Sequence, residues 1–203
     1  PPGHALVLAL GVLVGQPQLV NPISSCLIVI LFFILARRIF SFYVARLGSL
    51  FLVVSPFFIF MGGGFMNHPS CLLFLLFFIL FLLKGTQQPF TRASGIFLVL
   101  AGFCFGMATL VRPQTTIAFL PAGLIWAAYR LYPKKKRLLV SLLLFCIGGI
   151  PTAAFLMTFN ANTTGSPFVM GYQKNFRGNP LGIGNQNWEG RRTGVDQVRV
   201  VHH

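Results

Sequence analysis

Among the polar stretches that break up a largely apolar chain, four are candidates for chemistry, and three of them carry groups that could meet an anion. ATLVRPQT carries Arg112, whose guanidinium can hold a phosphate through two parallel hydrogen bonds. Pro113 disfavours helical geometry in the residue before it, so a helix is expected to end there. The alternative for Arg112 is a side chain reaching to lipid headgroups. MGGGFMNHPS carries Asn67 and His68 ahead of Pro69. One of the two is expected to cap the next helix, whose N-terminal amides would face an anion such as a lipid phosphate. Capping alone is the alternative. Gly62, Gly63 and Gly64 permit a tight turn or a close backbone approach.

PPGH opens the chain with two prolines, a glycine that permits a sharp bend, and His4 at the expected headgroup level. A water-exposed interfacial histidine is the alternative there. The fourth stretch, FNANTTGSPFVMGY, is expected to turn at Gly165 and Pro167 and to place Tyr172 at the membrane–water boundary, as part of a lid. It includes Asn162-Thr163-Thr164, an N-glycosylation acceptor pattern that is also common by chance.

The elements that must position these residues are long apolar runs. The chain has 203 residues, 55% hydrophobic and only 9% charged, with 23 Phe and a mean hydropathy of +0.78. That charge content is well below the roughly 25% of soluble domains, so an all-α polytopic membrane bundle is expected. Six spans are read: Leu19–Ala36, Leu47–Gly64, Phe65–Leu83, Gly95–Val111, Gln114–Tyr129 and Leu138–Phe159. The run ending at Gly15 is too short to span and is read as a helix in the outer interface; the tail of a truncated span is the alternative. Pro56, Pro121 and Pro151 fall inside spans and should bend them. Residues 1–159 form the expected transmembrane part, and residues 160–203 an irregular extracytoplasmic segment.

Charge orients the spans. Arg37, Arg38 and Arg46, then Lys84 and Arg92, then Arg130, Lys134, Lys135, Lys136 and Arg137 lie in alternate loops; the intervening turns hold only Arg112. The ten-to-one bias predicts that the former face the cytoplasm. The formal charge of +14 therefore reads as orientation and not as nucleic-acid binding. Cys26, Cys71, Cys104 and Cys146 lie singly in apolar runs, as small hydrophobes do. With two acidic residues and scattered histidines, no metal site or cofactor is expected.

The blocks PPGHALVLALGVLVGQPQLVNP, SPFFIFMGGGFMNHPSCLLF, GMATLVRPQT and FNANTTGSPFVMGY, in that order, resemble the polytopic glycosyltransferases of the GT-C fold. That group includes protein O-mannosyltransferases and lipid A aminoarabinose transferases. The resemblance covers roughly Pro1 to Gly184. It implies an integral-membrane enzyme, of the bacterial inner membrane, that moves a sugar from a polyprenyl-phosphate donor to an extracytoplasmic lipid, glycan or protein acceptor. It further implies that the catalytic base is a carboxylate upstream of Pro1, so that this chain is a fragment expected to be inactive alone. Arg112, His68, Asn67 and His4 are then the candidates for the donor phosphate. A family variant carries a KPPL-like block in which the residue before the prolines contacts that phosphate; here Gly3-His4 follow the prolines instead. The competing expectation is a lipid or solute transporter. It is disfavoured by the lack of internal repeats and of ionisable residues in mid-span.

Overall fold

A computed structural model describes residues 2–87, 89–131 and 135–169. The chain divides into two compact units, Pro1–Ala153 and Ala154–His203. Every regular element among the described residues is helical: α1 (Gly3–Leu13), a short 3-10 turn (Pro17–Leu19), α2 (Val20–Ile39), α3 (Phe42–Val54), α4 (Pro56–Gly63), α5 (His68–Gly85), α6 (Arg92–Val111), α7 (Pro113–Leu131) and α8 (Lys135–Thr164).

Local sequence explains the breaks. α2 ends where Phe40 turns extended, and Ser41 caps α3 by accepting from the Val44 amide. Pro56 cannot donate into a continuing helix, so α3 stops at Val54 and Ser55 caps a new helix, α4, bent from α3 by 58°. Thr91 and Ser94 form a reciprocal capping box that starts α6. Pro121 and Pro151 lie within α7 and α8.

α5 is the central helix of the first unit. One face, Cys71, Leu75, Phe78 and Leu82, packs on Leu98, Ala101, Cys104, Ala108 and Val111 of α6. The other, Leu73, Leu76 and Leu80, packs on Ile28, Leu31 and Leu35 of α2. Both sets recur at three- and four-residue intervals, the period of a helix face. Accordingly 56% of the apolar window of α5 is buried, against 28% for α2. α6 meets α8 through small residues: a Cβ at Gly102 would strike the Phe145 carbonyl, and one at Gly148 would strike the Val99 carbonyl. Small residues that let backbones touch are a hallmark of helix association in lipid.

The outward surface is apolar, with Phe57, Phe60, Ile125 and Leu13 all exposed, which suits contact with lipid rather than water. Among the described residues, α2 with its preceding turn, α5, α6 and α8 are each long and apolar enough to cross a membrane, and the bent pair α3–α4 makes a fifth. The remaining expected span, Gln114–Tyr129, falls in α7, which has the length at 19 residues. Gln114, Thr115, Thr116 and Arg130 leave it outside that apolar set. α1, at eleven residues, is about 16 Å long and too short to cross a core of about 30 Å.

The second unit is described as far as Val169. α8 runs past the expected end at Phe159 to Thr164. Gly165 then adopts a left-handed φ of 84°, a conformation that favours glycine. Asn160 Nδ2 donates to the Pro167 carbonyl at 3.2 Å, and the Thr164 hydroxyl lies 2.9 Å from both the Ser166 and Val169 carbonyls. The expected turn is therefore closed by its own polar side chains. Tyr172 and the rest of the tail, including Glu189 and Asp196, lie outside the described residues.

Candidate functional site

The end of the first unit that carries the N-terminus of α5 gathers three of the polar stretches. Gly3 starts α1 against the last turn of α6: a Cβ there would stand 2.5 Å from the Leu110 carbonyl carbon. The glycine thus serves close approach between backbones more than the expected bend. It seats His4 beside the start of α5, where His4 Nδ1 lies 3.0 Å from Ser70 Oγ and Nε2 lies 2.9 Å from the Phe65 carbonyl. A carbonyl only accepts, so Nε2 carries a proton and donates; in the neutral ring Nδ1 accepts from the Ser70 hydroxyl. Both ring nitrogens are engaged. The Ser–His contact has the form of an activated nucleophile, but Ser70 is fully buried, so it anchors the ring instead.

His68 is the first residue of α5, and Arg112 follows the last residue of α6. Because α5 and α6 run antiparallel as neighbours, their ends meet. Arg112 Nη1 lies 2.5 Å from His68 Nδ1. A guanidinium only donates, so the histidine nitrogen accepts and is unprotonated in this arrangement. Arg112 has φ −147° and ψ 86°, outside the helical region, as expected before Pro113. Its backbone is held on both sides: its amide donates to the Ala108 carbonyl at 2.8 Å, and its carbonyl accepts from the amide and hydroxyl of buried Thr116 at 3.1 and 3.0 Å.

Arg112 is half-buried. The described residues include no Asp or Glu at all, so the guanidinium has no carboxylate partner among them. It keeps further N–H donors beyond the one directed at His68. A half-buried cation with free donors and only a neutral partner is suited to bind an anion.

Asn67 holds the N-cap position of α5, but its backbone is helical (φ −78°, ψ −4°) and its side chain makes no capping bond. Side-chain capping needs an extended N-cap residue, and His68 is committed to Arg112. The expected cap by either residue is therefore not formed; Pro69 has no N–H, and the amides of His68 and Ser70 are left without a side-chain acceptor.

Asn21 and Ser70, neither of them a candidate from sequence, also hold this end of the unit together. Asn21 Nδ2 donates to the carbonyls of Gly64 and Met66. The signal was present: a buried amide at the head of a long apolar run needs partners. The fourth stretch belongs to the other unit.

No curated protein and no solved structure matches the chain. A family model described as dolichyl-phosphate-mannose-protein mannosyltransferase matches residues 1–163, which contain His4, Asn21, Asn67, His68 and Arg112. With that match over most of its length, the chain belongs to the dolichyl-phosphate-mannose-protein mannosyltransferase family of membrane glycosyltransferases.

Proposed function

We propose that this part of the protein binds the lipid-linked phosphate of a polyprenyl-phosphate sugar and supports transfer of that sugar to an extracytoplasmic acceptor. The observation that carries the reading is Arg112: a half-buried guanidinium, aimed by His68, with no carboxylate among the described residues. In the transfer, the acceptor oxygen forms a bond to the anomeric carbon as the bond from that carbon to the phosphate oxygen breaks. The departing lipid phosphate keeps the electron pair, and its charge is stabilised by the Arg112 guanidinium, with uncapped amides at the start of α5 as further donors. The acceptor proton passes to a carboxylate, a group that the described residues do not supply. In this reading His68 and Asn67 border the anion, and His4 supports the start of α5 through Ser70 and the Phe65 carbonyl. The proposed setting is a bacterial inner membrane with this site on the extracytoplasmic side, and the transferred group a hexose or pentose.

The test is transfer by the full-length protein in proteoliposomes supplied with polyprenyl-phosphate sugars. Arg112→Ala should lower donor kcat/KM by about 10- to 100-fold, the worth of a charge-assisted hydrogen bond or two. A well-folded Arg112→Ala protein with unaltered donor kinetics would sink this reading.

A further inference from the structure

The loop joining α4 to α5 presents three consecutive carbonyls to side chains from other elements. Asn21, in the first turn of α2, donates from Nδ2 to Gly64 at 2.5 Å and to Met66 at 2.8 Å. His4, from α1, donates to Phe65 at 2.9 Å. An Asn amide has two N–H groups, and both serve this loop.

The position of Asn21 makes this arrangement informative. Its side chain is only 2% exposed, and its Oδ1 is buried without a hydrogen-bond partner. A buried unsatisfied acceptor is unfavourable, and an apolar residue of similar size would avoid it. What an apolar residue cannot supply is the pair of donors.

The loop also requires an external hold. Gly62 and Gly63 end α4 and Gly64 opens the loop, and none of the three has a side chain to bias its conformation. Gly62 is wedged against Ser25, but Gly63 has open space about its Cβ position. Four residues after Gly64 the chain reaches His68, which must stand within hydrogen-bond reach of Arg112. A displacement of about an ångström would break that bond.

We propose that Asn21 is a positioning residue for the Arg112–His68 site, with His4 as the second arm of the same clamp. By holding carbonyls 64, 65 and 66, the two side chains fix where α5 begins and therefore where His68 meets the guanidinium. The kinetic consequence rests on the phosphate reading above; the consequence for the loop does not.

The experiment uses the full-length protein. Asn21→Asp preserves the shape of the side chain and removes both N–H donors. Hydrogen–deuterium exchange of a peptide covering residues 64–71 should rise about tenfold or more, while the middle of α6 stays protected. Donor KM should rise about tenfold with kcat within about twofold, and the rise should disappear in an Arg112→Ala background. Asn21→Ala removes the same donors without adding a carboxylate, and carries both measurements if the Asp variant fails to fold. His4→Ala should loosen the same peptide, and His4→Gln, which retains an N–H donor, should restore its protection. Wild-type exchange at residues 64–71 in the Asn21 variants overturns the clamp. So does a KM rise of equal size with and without the Arg112 side chain, which would mark a general structural defect. If Arg112→Ala alone leaves donor KM unchanged, the phosphate reading falls, and the exchange of residues 64–71 decides the clamp.

Discussion

At the scale of single residues, the site depends on what each side chain can give. The Arg112 guanidinium is a planar fork that can donate to His68 with one arm and keep the others for a phosphate. Lysine carries its donors on one nitrogen at the end of a flexible stem. Arg112→Lys should therefore keep the charge and lose the fork, leaving donor kcat/KM about tenfold below wild type and above Arg112→Ala. Donor titrations of the three proteins check that order; a Lys variant equal to wild type would show that charge alone matters. Residue types made His4, Asn67, His68 and Arg112 legible as candidates. Their pairing was not legible, because His4 and Ser70 are 66 positions apart in the chain and His68 and Arg112 are 44 apart.

At the scale of elements, the antiparallel α5–α6 pair brings His68 and Arg112 together, and α8 braces α6 through glycines. A Cβ at Gly102 would collide with the Phe145 carbonyl, which is backbone and cannot rotate away. At Gly149 the nearest atom to a Cβ is the Gly102 carbonyl oxygen at 3.8 Å, an ordinary contact. Gly102→Ala should destabilise the protein by about 1–3 kcal/mol, the usual cost of overpacking. Gly149→Ala should be neutral or slightly stabilising, since alanine favours helix over glycine. Thermal unfolding in detergent micelles separates the two; equal melting temperatures would argue against the close seam. The breaks at Ser55-Pro56 and Arg112-Pro113 were readable from proline chemistry. The seam was not, because a lone glycine in an apolar run looks the same whether it meets a neighbouring backbone or lipid.

At the scale of the whole molecule, charge and helix direction agree. Arg37 and Arg38 close α2, Lys84 closes α5 and Arg130 closes α7; Arg92 opens α6, and Lys136 and Arg137 stand in the first turn of α8. Several of these cations rest on aromatic rings: Lys84 on Phe97 at 4.9 Å, Arg137 on Phe90 at 5.0 Å and Arg130 on Trp126 at 5.7 Å. Such pairs suit a membrane–water boundary. Single cysteines introduced at Arg38, Lys84 and Lys136 should resist a membrane-impermeant thiol reagent in intact cells, and one at Asn67 should react, in a background with Cys26, Cys71, Cys104 and Cys146 replaced. The reverse pattern would invert the topology.

Composition by itself determined an all-helical membrane protein and its main helices, because burial in lipid acts locally along the chain; charge order predicts which loops face the cytoplasm. Pro56 and Pro113 likewise marked helix breaks, whereas Pro121 and Pro151 lie within helices. Only the tertiary structure decided that His4 serves the loop carbonyl of Phe65, that Asn67 does not cap α5, and that Asn21 grips Gly64 and Met66. The reason is physical. A buried donor must find an acceptor, but which acceptor it finds depends on how helices distant in sequence cross, and that is set by packing between apolar faces. Nothing in the alternation of apolar and basic residues encodes the partner of a particular amide.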